Sequence, residues 1–129
     1  PEYATKIYQL LKKYEFRKKM FTKKVNRVYI YETAPVKRIT GYFTIQTIHK
    51  NTPKSIWSMC KDYAGISKVK FFEYFSSKDE AIAIEIKKVV QFDKKIDPKK
   101  RIPNFHPPQM YQYYNGTFQY KCTDLTNLC

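Results

Sequence analysis

Acidic residues are scarce in this chain: 11 Asp and Glu stand against 25 Lys and Arg, a formal charge of +14 over 129 residues. The few carboxylates are scattered, which excludes the clustered acids of a metal-dependent nuclease and any paired-acid site; Asp79 and Glu80 are sequence neighbours and read as a turn. Only 3 glycines are present, and the chain holds no Gly-rich phosphate loop, no Gly-x-Ser-x-Gly and no His-Glu-x-x-His. The search for enzymatic motifs therefore comes up thin. Cys60, Cys122 and Cys129 are odd in number, lack Cys-x-x-Cys spacing and follow no signal peptide, so no disulfide framework is expected and a reducing, cytoplasmic setting is. His49 and His106 do not stand at zinc-ligand spacing from those cysteines, and no metal or cofactor is expected. No uncharged apolar run reaches the roughly 18 residues of a membrane span, so membrane is not an expected partner. The chain opens on Pro1 without a methionine, which suits a piece of something longer.

What is abundant is positive charge and aromatic surface. A charge of +14 exceeds the magnitude of about 2–8 that keeps a small domain soluble, and an anionic partner offsets the self-repulsion. Aromatics reach 17%, with 12 Tyr and 9 Phe; an AT-rich genome accounts for part of that excess, but not for the sign of the charge. Between residues 6 and 27 lie nine Lys or Arg and a single Glu. The run Lys12-Lys13-Tyr14-Glu15-Phe16-Arg17-Lys18-Lys19 interleaves cations, rings and one carboxylate, which suits a polyanion cleft in which rings stack on bases and cations neutralise phosphates.

The periodicity gives the elements. Ala4, Ile7, Leu10 and Leu11 share a helical face after Pro1, predicting a helix to about Lys12. Tyr14 to Arg17 alternates as a short strand with Glu15 and Arg17 on one side; strands follow over Val25–Glu32 and Arg38–His49, with Gly41 marking a bulge or close backbone approach. Thr52-Pro53 opens a second helix ending near Ala64, with Gly65 as left-handed cap, and Ser67 caps a third through Phe75 with Val69, Phe72 and either Phe75 or Tyr74 inward. Ala81–Phe92 is the strongest strand, Asp93–Pro108 reads as loop, and Met110–Tyr114 as a last strand. This order predicts an α+β fold, a small mixed β-barrel with two to three helices packed at its ends. The expected domain covers residues 1–114, with 115–129 a tail or last hairpin arm.

The order of motifs resembles the ASCH domains of the PUA-like superfamily. The carriers are the opening Pro-Glu-Tyr-x-x-Lys-Ile helix, Lys12-x-x-Glu15-x-Arg17, Ile30-Tyr31-Glu32-Thr33-x-Pro35, Ile39-x-Gly41-x-Phe43 and the Ala81–Ile86 strand. The glycine usual in that family before the lysine is replaced by Leu10 or Leu11. The resemblance implies a PUA-like barrel with a basic cleft beside the first helix, and members proposed to bind RNA or to act near transcription and translation. One branch looks like an amidohydrolase of an acetylated cytidine using Lys, Thr and Glu. Here Lys12 matches the lysine but Glu15 stands where the threonine would be, which removes the nucleophilic hydroxyl. A modified-base reader would need an aromatic cage, for which Trp57, Tyr31 and Tyr74 are candidates.

The expected function is nucleic-acid binding, RNA favoured, by a monomer that acts as a regulatory module. Lys12, Lys13, Arg17, Lys18 and Lys19 are placed on phosphates, Glu15 and Tyr31 on a base, and Lys99, Lys100 and Arg101 on a proline-containing loop over the strand. The alternatives are a hydrolase of a modified nucleoside with Lys12 and Glu15 as catalytic groups, and a module that meets an acidic protein partner.

Overall fold

The computed structural model of the protein describes residues 2–20, 27–101 and 113–115. Its elements are α1 (Glu2–Tyr8), β1 (Tyr14–Arg17), β2 (Arg27–Glu32), β3 (Arg38–Asn51), α2 (Pro53–Cys60), a single 3-10 turn (Lys61–Tyr63), α3 (Lys68–Tyr74), β4 (Ala81–Ile96), α4 (Pro98–Arg101) and β5 (Tyr113–Asn115). The strands form one curled sheet in the order β1-β4-β3-β2-β5, and every pairing is antiparallel. The result is the expected α+β small barrel. β5 carries the pairing through Asn115, which lies opposite Val28.

Three apolar layers hold the sheet. Inside the curl, Val28, Ile30, Phe43 and Ile84 pack against Ala4 and Ile7 of α1. On the outer face Phe16 meets Phe71 edge-on at 5.0 Å, with Ile56 and Cys60 of α2 beside them; the small Ala81 and Ala83 of β4 leave room for these rings. A third layer gathers Tyr29, Tyr31, Tyr42, Phe92 and Ile96.

The caps follow the sequence closely. Thr52 accepts from the Ser55 amide at 3.2 Å with Pro53 in the first turn, and Ser67 accepts from the Lys70 amide at the same distance. Gly65 takes φ +67, as a left-handed cap requires. Gly41 sits at register shifts in both of its ladders, the bulge that its position suggested.

Four expectations need correction. Val69 is 68% exposed instead of inward, because α3 buries Phe71 and sets Phe75 at its end. β4 runs four residues past Phe92: Phe92 and Ile96 both enter the aromatic layer, Ile96 lies opposite Ile39, and the strand stops only where Pro98 begins α4. Tyr31 is buried in that same layer, since β2 is covered on both faces, and it is not a surface platform.

The fourth concerns α1, which ends at Tyr8 instead of Lys12. Leu10 adopts φ 62, the Leu11 amide reaches back to the Lys6 carbonyl at 2.9 Å and the Leu10 amide to the Ile7 carbonyl at 3.0 Å, a complete Schellman cap with leucine at the glycine position. A left-handed non-glycine residue costs roughly 1–2 kcal/mol. Leu10 is 58% exposed, so Leu10→Gly removes strain and little packing. It is expected to raise unfolding free energy by about 0.5–1 kcal/mol after glycine's extra unfolded-state entropy, read by urea denaturation. A loss of stability would show that the leucine side chain, not its backbone, matters at this turn.

Candidate nucleic-acid interface

The turn at Leu10 decides where the basic run points. Directly after it Lys12 swings inward: it is 1% exposed, and its Nζ donates to the Ala64 carbonyl at 2.6 Å. Lys6, in the last turn of α1, donates to the next carbonyl, Gly65, at 3.3 Å. The two lysines thus satisfy consecutive carbonyls where the α2 segment ends, the usual place for a cation to meet unpaired C=O groups. The Lys12 stem lies against Gly65, whose absent side chain makes the room. Its Nζ also stands 4.7 Å from the Phe16 ring centre and 5.7 Å from that of Tyr3.

Burial holds the Lys12 ammonium below its ordinary titration range, with Glu15 pulling the other way and Lys6 adding to the depression. Glu15 is buried too, and one carboxylate oxygen accepts from the Phe16 amide at 3.2 Å. Burial raises the Tyr74 phenol, and Glu15 raises it further against the opposing pull of Arg17. Lys12 and Glu15 are therefore an internal polar core under β1, not a phosphate contact and a base contact on an open floor.

The surface cations lie at the two ends of β1, the edge strand of the sheet. Lys13 is exposed at one end, its Nζ 4.1 Å from the centre of the Tyr63 ring. Lys18 and Lys19 are exposed at the other, with Lys18 Nζ 4.5 Å from the Tyr74 ring centre. Arg17 is half-buried and donates from Nε to the Lys19 carbonyl at 3.0 Å, which shapes the turn after β1. The four residues of β1 stand between Lys13 and Lys18, five steps of strand or roughly 17 Å. Lys99 and Lys100 are exposed on α4, not on a loop; the Arg101 side chain, and the basic pair Lys23 and Lys24, lie outside the described residues.

The aromatic cage is not assembled. Trp57 packs at 5.0 Å on Phe71 in the outer layer with Tyr74, whereas Tyr31 belongs to the separate layer of Tyr29 and Tyr42. Among the described residues no group of three or more His, Cys, Asp or Glu could hold a metal ion, and no helix is long and apolar enough to cross a membrane. His106, Cys122 and Cys129 lie outside the described residues.

One cluster escaped the sequence reading. His49 Nε2 and Glu85 Oε1 are 2.8 Å apart, and the Tyr14 ring stands edge-on to the imidazole at 6.4 Å. The two-residue period of Ala81 to Ile86 places Glu85 on the face of Ala83, and Ala83 pairs with His49, so the ring can reach diagonally across an empty neighbour. The sequence signal was a lone acid in the otherwise apolar run from Ala81 to Ile86.

A curled antiparallel sheet plugged by α1 and covered by α2 and α3 defines the chain as an ASCH domain of the PUA-like type. The crystal structure of ASCH from Zymomonas mobilis matches it with a TM-score of 0.83 at 26% identity, covering 99% of this chain and 90% of that one. A serine-to-alanine variant of the same Zymomonas mobilis protein gives 0.84 at 26%, with the same coverage. A protein of Zymomonas mobilis subsp. mobilis named an ASCH domain-containing ribonuclease is 28% identical over 130 residues, 98% of this chain and 88% of that protein. The chain belongs to the family described as a domain of unknown function (DUF365), whose pattern matches residues 1–105.

Proposed function

We propose that this chain is an RNA-binding module whose contact strip runs along β1. The observation that carries the reading is the pairing of exposed lysines with tyrosine faces at both ends of an edge strand, Lys13 on Tyr63 and Lys18 on Tyr74, in a chain of charge +14. Cations beside flat rings hold a phosphate and stack the adjoining base, the arrangement that single-stranded nucleic acid favours. The ribonuclease name of the Zymomonas relative supports RNA over DNA. In this reading Lys13, Lys18, Lys19, Lys99 and Lys100 meet phosphates, Arg17 shapes the rim, and Lys12 with Glu15 keeps β1 in place. The cellular setting that goes with it is a monomeric, cytoplasmic regulator near transcription or translation.

The test is fluorescence anisotropy with labelled single-stranded RNA, single-stranded DNA and duplex DNA across a salt series. Counterion release makes log K fall with log salt at a slope of about −0.7 per phosphate neutralised. The Lys13, Lys18 and Lys19→Gln triple variant is expected to flatten that slope by about 2 and weaken RNA binding at least tenfold, while Lys87, Lys94 and Lys95→Gln changes both less. Equal effects of the two triples, or a salt-insensitive affinity, would refute the strip.

The hydrolase alternative keeps one observation, the depressed Lys12 amine beside Glu15. Against it stands the commitment of Lys12 Nζ to the Ala64 carbonyl.

A further inference from the structure

Leu10 holds φ 62, a conformation that strains leucine and suits glycine, yet its side chain is 58% exposed and the interior makes little use of it. A strained residue that packs little within the fold points to a use outside it. Of the six large apolar side chains exposed among the described residues, four gather at this corner: Leu10, Leu11, Met59 and Tyr63, each between 45% and 58% open. Three hydrogen bonds lace α1 and the chain after it to the end of the α2 segment. The Lys13 amide donates to the Tyr63 carbonyl at 2.8 Å, Lys12 Nζ to that of Ala64 and Lys6 Nζ to that of Gly65. Leu10 and Leu11 lead into that seam from one side. Tyr63, with Met59 one turn before it, forms the other.

Aliphatic side chains clustered inside a charged rim mark a protein-docking surface. The rim is cationic. Lys13 and Lys61 are exposed on it, and Asp62 is the single acid between Met59 and Tyr63, while Lys6 is held by Gly65 and, at 3.5 Å, by Glu2. A second copy of the chain would bring the same cations and another +14, so the two repel. RNA gains little from leucine and methionine, which offer neither a flat face to a base nor a donor to a phosphate. What complements apolar side chains ringed by lysines is an acidic amphipathic helix, its apolar face on the patch and its carboxylates on the rim.

We propose that Leu10, Leu11, Met59 and Tyr63 dock an acidic amphipathic helix of a partner protein. The inference goes beyond RNA binding and does not rest on it, since the two surfaces share only Lys13 and Tyr63.

The experiment pans random phage-displayed peptides of about 16 residues, enough for four helical turns, over the whole chain. The Leu11→Ser, Met59→Ser double variant, which keeps every charge, serves as counter-selection, and circular dichroism checks its fold. Leu10→Gly removes a third member of the patch while relieving its backbone. The enriched peptides are expected to be acidic, with apolar residues at helical spacing, and to bind more weakly as salt rises. By anisotropy they are expected to bind the parent at least tenfold tighter than the double variant and about threefold tighter than Leu10→Gly. The double variant is expected to hold single-stranded RNA within about twofold of the parent. Peptides that bind the parent and both variants equally, or that lack the acidic or the helical pattern, overturn the inference. So does an RNA affinity that falls along with peptide affinity, which makes the patch part of the strip. Self-association seen by sedimentation and lost in the double variant makes a second copy the occupant, and binding to phosphatidylserine vesicles lost in the same variant makes it a lipid surface; either overturns the docked helix.

Discussion

Gly41→Ala is expected to destabilise the protein by about 3 kcal/mol or more and to lower its melting temperature by roughly 10 °C. A side-chain carbon built at Gly41 would run into the Val90 carbonyl oxygen of β4, and it would stand 2.6 Å from the Tyr8 hydroxyl and 3.1 Å from the Gln91 Cα. Two of those three obstacles are backbone of the paired strand, which cannot turn aside as a side chain can. The third disturbs the 2.7 Å hydrogen bond between the Tyr8 hydroxyl and Thr40, which ties α1 to β3. Thermal and urea denaturation of Gly41→Ala alone and with Tyr8→Phe separate the causes. The added substitution is expected to recover little; recovery of most of the loss would make the phenol, not β4, the obstacle.

Lys12→Ala is expected to cost about 3–5 kcal/mol, since it empties a buried site and strips the Ala64 carbonyl of its donor. Lys12→Met keeps the stem and should lose far less near neutral pH, and the way its deficit changes with pH is diagnostic. Unfolded, the amine titrates at its ordinary 10.5; folded, burial lowers it. Between the folded value and 10.5 the unfolded chain binds more protons, so the wild-type protein gains stability as pH rises through that window and loses it as pH falls. Methionine cannot titrate, so the gap between the two proteins should widen toward pH 10.5 and then level off. Comparing the two cancels the buried tyrosines common to both, whose raised values act the opposite way above pH 10. A gap that stays constant with pH would mean that Lys12 keeps an ordinary titration in the fold. Gly65→Ala tests the same contact from the other side, because its new carbon would stand 2.5 to 2.7 Å from the Lys12 stem at φ +67.

Elements governed by local chemistry were legible in the sequence. Thr52-Pro53 and Ser67 announce their helices through side-chain caps, and Ala-Ile-Ala-Ile-Glu-Ile can be little but a strand with an apolar face. What escaped depends on partners distant in the chain. Lys12 reads as solvated in a basic run, and only the left-handed Leu10 together with the carbonyl of Ala64 turns it inward. Tyr31 alternates like any half-buried strand residue, and a second apolar layer on its other face removes it from the surface. His49 and Glu85 meet because β3 and β4 lie in one register, which neither strand encodes alone. The cations expected to line one groove divide in the fold: Lys13, Lys18 and Lys19 stand exposed at the ends of β1, whereas Lys12 and its neighbour Glu15 are interior.

The position of β1 has a further consequence during synthesis. Among the described residues its one neighbour in the sheet is β4, with Tyr14 opposite Glu85, and β2, β3, α2 and α3 all leave the ribosome between the two. The Lys12 anchor at Ala64 likewise waits for the α2 segment. Until then the nascent segment from α1 through β1 lacks its native pairing, and long-range closure of this kind slows folding. Lysines on either side of so short a strand then act as gatekeepers: their mutual repulsion discourages edge-to-edge joining of growing chains until β4 arrives to claim the place.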